Sequence, residues 1–386
     1  KVLTPRGWTT MGELQVGDEI CGTNGTVQTV VGIYPKGEKQ IYKVFFSDGR
    51  EVECCEDHLW AVTKQEKGTP LVCTTKQLLE ANPTKLSKDG SKCRRFYVQR
   101  SVADFKPREF VLNPYLVGLL IGDGSLNGTG SIEISLGPND RSIIDKIVLP
   151  EGLYLRWTWI EKKHYFRVKI QGKTLDGKTP FDLVNDIGLL GVKSGTKFIP
   201  KEYLYSDLKS RQELLQALID TDGHINTRGL IEYSTISKQL SEDVVELLRG
   251  LGKPVAKYLH VRKPNSSYSS TSIYRINELV GDRYGISIDS IVPTDNFTEM
   301  RCIKVSNPDH LYFTNDYILT HNTTGSSVLA QALVDAANRA LGTGADANSI
   351  KRGMDKAVEV ALGGIDSLTI PITISDLDKV NYVASV

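Results

Sequence analysis

Two similar nine-residue segments, LVGLLIGDG at residues 116–124 and LQALIDTDG at residues 215–223, repeat one pattern in this chain. Each is an apolar helical run that ends in Asp-Gly. About one hundred residues separate them, which is a domain-sized interval rather than that of a solenoid repeat. The pair therefore predicts a duplicated domain with two pseudo-symmetric halves and one such helix in each half.

Small residues on one face of each segment predict close packing of the two helices. Gly118 and Gly122 lie one turn apart in the first segment, and Ala217 and Thr221 take the corresponding places in the second. Because these faces carry no bulky side chains, one helix backbone can approach the other closely. Side-by-side packing would place the acidic ends of both helices together.

The acidic ends themselves predict a metal site. Asp123 and Asp222 would repel each other at short range unless a cation lay between them, and oxygen ligands with open water positions suit Mg²⁺. A divalent cation there can activate water and stabilise the leaving group of a phosphodiester. Two buried helices with exposed acidic ends remain the alternative for either segment alone, whereas the matched pair is more specific.

Both segments resemble the LAGLIDADG motif of the homing endonucleases, and both keep the last acid of that motif. The departures from it are Val117 and Gly122 in the first copy and Gln216 and Thr221 in the second. The resemblance implies that Asp123 and Asp222 are catalytic, metal-binding residues. It also implies that the partner is double-stranded DNA with a long, weakly palindromic target.

A lysine and a basic stretch add to this resemblance. In TKFIPKEYL, Lys197 matches the family's Lys-x-Ile-Pro segment, which implies a lysine that stabilises charge near the scissile phosphate; an exposed surface lysine is the alternative. The basic stretch lies on predicted strands and would follow the phosphates of DNA, although a solvated charged face fits equally well. Its members are Arg156, Lys162, Lys163, His164, Arg167, Lys169 and Lys173, interleaved with Trp157, Trp159, Tyr165 and Phe166.

The most informative short feature is ILTHNT at residues 318–323. An asparagine amide can attack its own backbone carbonyl and cut the chain after it, while a neighbouring histidine donates a proton to the departing amine. A hydroxyl at the next residue can accept an acyl group and pass it to an amine. His321, Asn322 and Thr323 thus have the order of a self-excising junction, at the point where the composition shifts towards alanine and glycine.

Sequence rich in β-strand patterns flanks the duplicated region. Short alternating runs with glycine-rich turns fill residues 1–95, and strand character returns at 291–322. The junction after NPDHLYFTNDYIL resembles the end of an intein, and VLTPRGWTTMGELQVGDEI resembles the first conserved intein segment without its opening residues. The resemblance implies a multidomain chain, in which an α+β LAGLIDADG endonuclease, residues 96–290, interrupts an all-β splicing (Hint) domain. The usual opening nucleophile and an upstream host segment (the upstream extein) are expected to precede residue 1.

A second intein segment is present as ECCEDHLWAV. The resemblance implies that His58 protonates or polarises the amide of the upstream junction with support from residue 55, where Cys55 replaces the family's threonine. His310 in PDHLYF matches the late histidine that assists asparagine cyclisation. Cys54, Cys55 and His58 also suggest a metal site, but no second Cys/His pair lies nearby in the sequence, which argues against zinc.

Three separated positions indicate one subtype. Trp60, Cys302 and Thr320 together resemble the class 3 inteins, in which an internal cysteine attacks the upstream junction. Carried over, Cys302 would hold the upstream segment as a thioester, Thr323 would accept it, and cyclisation of Asn322 would release the intein without a cofactor. A small buried hydrophobe is the alternative role for Cys302.

Residues 323–386 contain two amphipathic helical runs of a different character. TTGSSVLAQAL, KRGMDKAV and the closing VASV resemble the equatorial domain of a group I (GroEL-type) chaperonin, which implies an α-helical host fragment. In the spliced host, Thr323 and Thr324 would touch phosphate of ATP, together with Mg²⁺, in a homo-oligomeric ring. The DNA target would then be the intein-less chaperonin gene. An unrelated alanine-rich hairpin is the alternative.

Composition limits the remaining classes. The 386 residues include 47 Lys+Arg and 46 Asp+Glu, so DNA binding must come from local basic patches. No stretch reaches the roughly 20 apolar residues of a membrane helix, and the first residues are not a signal peptide. Six scattered cysteines indicate reduced thiols in the cytoplasm. The His-Asn-Thr junction argues against a free-standing LAGLIDADG endonuclease, and the two acidic motifs argue against a chaperonin subunit with an inert insert.

Overall fold

The computed structural model describes residues 1–64, 70–87, 89–128, 131–262, 271–281 and 285–322, and of the C-terminal segment residues 337, 339–342, 344 and 346–368. The strands in these ranges, β1 to β21 in chain order, are Val2–Thr4, Gly7–Thr9, Glu19–Cys21, Val27–Phe46, Glu51–Cys54, Leu59–Thr63, Leu71–Thr74, Thr84–Leu86, Lys92–Arg94, Tyr97–Val98, Gly124–Ser125, Glu133–Leu136, Leu153–Ile160, Tyr165–Gly172, Gly223–Ile225, Ile231–Thr235, Val255–Arg262, Thr271–Glu278, Ile286–Val305, Leu311–Thr314 and Ile318–His321. The α-helices, α1 to α8, are Thr75–Glu80, Pro114–Asp123, Arg141–Ile144, Pro180–Asp186, Lys201–Leu204, Leu208–Asp222, Lys238–Gly250 and Ala347–Leu368.

The two flanks of the duplicated region share one antiparallel sheet of eleven strands. Its order is β2-β1-β20-β21-β6-β10-β19-β4-β3, with β5 paired to β4 and β7 paired to β6. The long strands β4 and β19 pair along most of their length, which sets Cys302 opposite Tyr34. Inward-facing residues of the alternating pattern, including Leu3, Trp60 and Phe313, form the core. The predicted β-rich character of both flanks is thus present.

This sheet extends further towards the middle of the chain than the sequence predicted. Strand β10 pairs with both β6 and β19, and β19 begins at Ile286. The alternating patterns of FYV and ISIDSI continue past the predicted boundaries at 95/96 and 290/291, and backbone pairing draws them into the sheet. The inserted region therefore lies between Val98 and Ile286.

The inserted region consists of two halves with the same order of elements. A helix leads into a four-stranded sheet of order β11-β12-β14-β13 in the first half and β15-β16-β18-β17 in the second. In both halves a further helix, α3 or α7, follows the second strand. Asn113 and Asp207 cap the leading helices α2 and α6 through their side chains. The predicted duplication is visible as these two matching units.

Helices α2 and α6 pack directly against each other through the small residues of the sequence pattern. A Cβ atom added at Gly118 would lie 2.6 Å from Cβ of Ala217 and 2.7 Å from the carbonyl oxygen of Leu214. One added at Gly122 would overlap the Thr221 side chain. Close-packed interiors do not tolerate such distances, so the crossing requires both glycines.

One half-buried carboxylate joins the inserted region to the eleven-stranded sheet. Oε1 of Glu246, on α7, accepts hydrogen bonds from Trp8 Nε1 at 2.6 Å and from the Tyr317 hydroxyl at 2.8 Å. It also accepts from the Tyr205 hydroxyl, within the inserted region, at 3.3 Å. Burial raises the pKa of Glu246, and the three donors act in the opposite direction. Glu246 therefore links the two units through three hydrogen bonds that are partly shielded from water.

Glu246→Ala should lower the free energy of unfolding by about 2 kcal/mol, because the buried Tyr317 hydroxyl and the half-buried Trp8 Nε1 would lose this acceptor. Glu242→Ala is the matched control: its exposed carboxylate, on the same helix, pairs with Lys257 at 3.7 Å, and its loss should cost less than about 1 kcal/mol. Urea unfolding at neutral pH compares the two variants. Equal losses would contradict the linking role.

The C-terminal segment is described in part. Helix α8 covers the second helical run that the sequence predicted there, whereas most of the first run, together with Thr323 and Thr324, lies outside the described residues. No helix in the described ranges is long and apolar enough to span a membrane.

Candidate functional sites

A cavity of about 470 Å³ lies where the two flanks meet in the eleven-stranded sheet. It is lined by His58 from the segment before β6, by Cys302 from β19, and by His321 and Asn322 at the end of β21. The antiparallel pairing of β21 with β6, which sets His321 opposite Leu59, accounts for this meeting. Side chains that are far apart in the sequence therefore share one cavity.

The Asn322 side chain is only 3% exposed, yet neither its Oδ1 nor its Nδ2 has a hydrogen-bond partner among the described residues. Such unpartnered amides are rare in folded proteins. The backbone around it is held: Asn322 N donates to the carbonyl oxygen of His310 at 2.8 Å, and His321 Nδ1 lies 2.5 Å from the Asn322 carbonyl oxygen. Because a carbonyl oxygen only accepts, Nδ1 carries the proton. His321 therefore donates to the Asn322 carbonyl oxygen, and its role in protonating the departing amine stays a prediction.

Burial keeps His58 and His321 uncharged at neutral pH. It lowers the pKa of His58 to about 4, with a smaller contribution from His321, and it also lowers the pKa of His321. His58 Nε2 is hydrogen-bonded to the hydroxyl of Thr320, which lies 3.2 Å from the carbonyl oxygen of Leu59. Since the hydroxyl has one proton and donates it to that carbonyl, His58 donates through Nε2 and keeps Nδ1 as an acceptor.

Thr75 supports this histidine and was missed by the sequence analysis. Its buried hydroxyl accepts from Trp60 Nε1 at 3.0 Å, lies 3.3 Å from the Cys54 sulfur and donates to the carbonyl oxygen of His58 at 3.3 Å. Trp60 packs edge-on against the His58 ring, with 5.0 Å between centroids. The backbone carbonyl of Cys55 accepts from His58 N at 3.2 Å, and the support expected from the side chain of residue 55 stays a prediction. Burial raises the pKa of the Cys55 thiol.

His310 lies next to the junction, where its carbonyl oxygen accepts from Asn322 N. Its φ angle is 56°, in the left-handed region that few residues other than glycine, asparagine, aspartate and histidine adopt. Its ring centroid is 5.5 Å from that of His321, and its buried Nδ1 has no partner within the described part of the chain. The predicted late histidine is therefore next to the junction.

A second site lies where helices α2 and α6 end side by side. Asp123 and Asp222 are the last residues of these helices. Burial raises the pKa of both carboxyls, that of Asp123 to about 6, and the charge of Asp222 adds to the shift of Asp123. Lys197 is buried beside them, where its Nζ donates to the carbonyl oxygen of Gly122 at 2.5 Å. Burial lowers the pKa of Lys197, and its charge opposes the shifts of both carboxyls.

The donors at this site suit a divalent cation that prefers oxygen. Asp123 and Asp222 form no hydrogen bond or ion pair with another side chain in the described ranges, and a cation between them would relieve the repulsion. The described residues contain no group of three or more His, Cys, Asp and Glu that could hold a metal ion.

Asp123→Asn should stabilise the metal-free protein at neutral pH. The folded-state pKa of about 6 exceeds the ordinary value of 3.8, so the carboxyl lowers stability progressively as the pH rises through this window. The uncharged variant should exceed the wild type by about 1 kcal/mol at pH 7, allowing for solvent screening, and should match it near pH 4. Urea unfolding in a chelator at both pH values measures the difference. A variant that is less stable at pH 7 would contradict the cost of burying the Asp123 charge beside Asp222.

The predicted basic stretch lines one face of the sheet in the first half. A groove of about 260 Å³ there is lined by Arg156, Thr158, Ile160, Arg167, Lys169 and Gln171. Lys162 and Lys163 lie in the turn between β13 and β14. The interleaved aromatic residues do not all share this face: Trp157 and Trp159 pack with Phe166 on the other side of the sheet, because side chains alternate along a strand.

The second half carries a basic counterpart that the sequence analysis missed. The registers of the two sheets place Arg275, opposite Ser234, where the first half has Arg167 opposite Ser135. The chain between the Asp-Gly segment and this arginine is longer in the second half. Spacing alone therefore could not identify Arg275, and the strand register was needed.

Comparison with known proteins identifies a LAGLIDADG-like domain at residues 210–284. The replicative DNA helicase DnaB of Mycobacterium intracellulare is 25% identical over 365 residues, which cover 83% of this chain. The chain spans 57% of the length of that curated relative. The domain match confirms that the chain carries a LAGLIDADG-like domain, the enzyme class that the acidic motifs predicted. It contains Asp222, whereas Asp123 and Lys197 precede it.

Solved structures also show similarity to this chain. The MchDnaB-1 intein matches with a TM-score of 0.26 and 14% identity, over 83% of this chain and 95% of that one. The homing endonuclease I-DmoI, in a complex with DNA and Mn, matches with a TM-score of 0.27 and 15% identity, over 45% of this chain and 92% of that one. Scores this low carry no structural argument.

Proposed function

We propose that the chain is a self-splicing intein that carries a LAGLIDADG DNA endonuclease as an insertion. The observation that carries the splicing function is Asn322, a buried amide without a partner among the described residues, beside a carbonyl held by His321 and in the cavity that Cys302 lines. A buried asparagine with only a structural role would have hydrogen-bond partners for its side-chain amide. The endonuclease function rests on Asp123, Asp222 and the LAGLIDADG-like domain.

Cleavage at the downstream junction follows from the arrangement around Asn322. Its Nδ2 would attack its own carbonyl carbon, the bond to the nitrogen of Thr323 would break, and that nitrogen would take up a proton, which leaves a succinimide on the intein. The Nδ1–H of His321 would stabilise the negative charge that develops on the carbonyl oxygen. His310, with its unpartnered Nδ1, is the neighbouring group that would move the proton to the departing amine.

The upstream step would begin at Cys302. Its thiolate would attack the carbonyl carbon of the upstream junction, the carbon–nitrogen bond would break, and the departing amine would take up a proton, which forms a thioester. His58, held by Trp60 and Thr320, would take up the proton of the Cys302 thiol on its free Nδ1 and pass it to the departing amine. The acyl group would pass to the Thr323 hydroxyl, which restores the thiol. The Thr323 amine released by cyclisation would then attack the ester to form the final peptide bond.

DNA cleavage would take place at the paired helix ends. Asp123 and Asp222 would hold Mg²⁺, which when bound activates water and stabilises the leaving oxygen of a phosphodiester. Lys197 would stabilise charge on the scissile phosphate from its buried position beside the carboxylates. Contacts with the DNA backbone would come from the basic face of the first half, namely Arg156, Lys162, Lys163, Arg167 and Lys169.

For the host, the sequence of residues 323–386 supports a group I chaperonin. In that protein, Thr323 and Thr324 would contact the phosphates of ATP with Mg²⁺, within a homo-oligomeric ring in the cytoplasm. The DNA target would be the chaperonin gene that lacks the insertion.

Two matched plasmids test the endonuclease function. One carries the host gene without the insertion, and the other carries the same gene with it. With Mg²⁺, the purified chain should linearise the first plasmid alone, because the insertion separates the two halves of the target. Equal cutting of both plasmids, or of neither, would contradict the proposal.

A further inference from the structure

The hydroxyl of a buried tyrosine near the paired carboxylates has no role in the splicing or DNA cleavage proposed for this chain. Tyr233 is 2% exposed, and its hydroxyl has no hydrogen-bond partner among the described residues. It lies on β16 directly opposite Gly223, the residue that follows Asp222. A buried hydroxyl without a partner costs about 1–3 kcal/mol, so its presence in this core requires a reason.

Packing does not supply that reason. At the matching position of the first half, opposite Gly124, β12 carries Ile134, which is fully buried in the same core. An apolar side chain is therefore compatible with this position of the fold. Tyr203, a buried tyrosine of the same core, shows how a structural hydroxyl behaves: it donates to the carbonyl oxygen of Leu112 at 2.9 Å and accepts from Leu112 N at 3.3 Å.

The surroundings of Tyr233 are negatively charged. Burial raises the pKa of its hydroxyl well above the ordinary range, and the charges of Asp222 and Asp123 raise it further. The hydroxyl therefore remains protonated, and it is a hydrogen-bond donor in a place where the described structure provides no acceptor for it.

We propose that Tyr233 is a positioning residue of the nuclease site, whose hydroxyl donates to a water molecule bound to the cation between Asp123 and Asp222. The inference rests on the proposed endonuclease function. It gives the hydroxyl the acceptor that it lacks, and it gives the bound water a fixed orientation towards a phosphodiester. Groups in such a position around a metal typically contribute about 10–100-fold to metal affinity or activity.

Tyr233→Phe tests the proposal in the full chain, with Tyr203→Phe as the matched control. Three quantities are measured: stability to urea without divalent cations, affinity for Mn²⁺ by electron paramagnetic resonance, and cutting of the insertion-free plasmid. Tyr233→Phe should be at least as stable as the wild type, because it removes an unsatisfied hydroxyl. Its Mn²⁺ affinity, its cutting rate, or both should fall by about 10–100-fold. Tyr203→Phe should lose stability and keep its Mn²⁺ affinity.

The outcomes separate this inference from the function on which it rests. If Tyr233→Phe keeps both its Mn²⁺ affinity and its cutting rate, the inference is overturned, whatever its stability. A wild-type chain that binds Mn²⁺ but cuts neither plasmid refutes the endonuclease, and the Mn²⁺ affinity of Tyr233→Phe then decides the inference alone. A wild-type chain that does not bind Mn²⁺ overturns both.

Discussion

Asp222→Asn and Asp123→Asn should each lower the rate of DNA cutting by about a thousandfold, because either change removes half of the negative charge that holds the cation at the reacting phosphate. Asp220→Asn is the matched control on the same helix. Its carboxylate accepts hydrogen bonds from Tyr115 and Gln216, both at 2.6 Å, and pairs with Lys146 at 3.1 Å. The control should therefore lose stability and keep its cutting rate per folded molecule.

Single-turnover cutting of the insertion-free plasmid in Mg²⁺ measures these rates. Far-ultraviolet circular dichroism on the same samples confirms that each variant is folded. Wild-type rates in both variants would refute the assignment of the site. An equally large fall in the cutting rate of Asp220→Asn would also refute it. The loss would then result from any change at the ends of the helices and not from the loss of a paired carboxylate.

Asn322→Ala should abolish the release of residues 323–386, because alanine has no amide to attack the carbonyl. His321→Ala should slow the release by about 100-fold, which is the usual effect of removing one donor from a developing oxyanion. Asn307→Ala is the control, since its amide donates to Thr26 at 3.0 Å and its removal leaves the junction unchanged. Gel electrophoresis over time follows the release, and release from Asn322→Ala at the wild-type rate would contradict the mechanism.

Cys302→Ala should block the joining of host segments when the chain is produced with its upstream segment restored. Cys73→Ala, on β7 and not among the residues that line the cavity, should join them normally. The ligated product, detected by mass, distinguishes the two. Normal joining by Cys302→Ala would show that the first nucleophile lies elsewhere.

Features that depend on local sequence could be predicted. The helices of the duplicated segments follow from their apolar runs, and their close approach follows from Gly118 and Gly122, because a glycine on a helix face removes the steric barrier to a neighbouring backbone. The predicted cyclisation of Asn322 also follows from adjacent residues, because the sequence analysis inferred it from His321 and Thr323 on either side.

Features that depend on register or on distant contacts could not be predicted. Thr75 reaches His58 only through the pairing of β7 with β6. Glu246 and Trp8 are 238 residues apart, and no periodic pattern connects them. In the sequence, nothing distinguishes Tyr233 from other residues of a strand. The structure shows that its hydroxyl is buried near two carboxylates. Such contacts arise from tertiary packing, which a single sequence does not encode at fixed spacings.

The mass of the fragment that ends at Asn322 tests most directly whether this chain severs itself with its own side chain. The full chain is incubated at neutral pH, and its fragments are weighed by mass spectrometry from the earliest time points. Cyclisation predicts a fragment of residues 1–322 that is lighter by one water molecule than the product of hydrolysis, together with a peptide that begins at Thr323. An uncut chain, or a fragment with an ordinary carboxyl terminus from the start, would contradict the account.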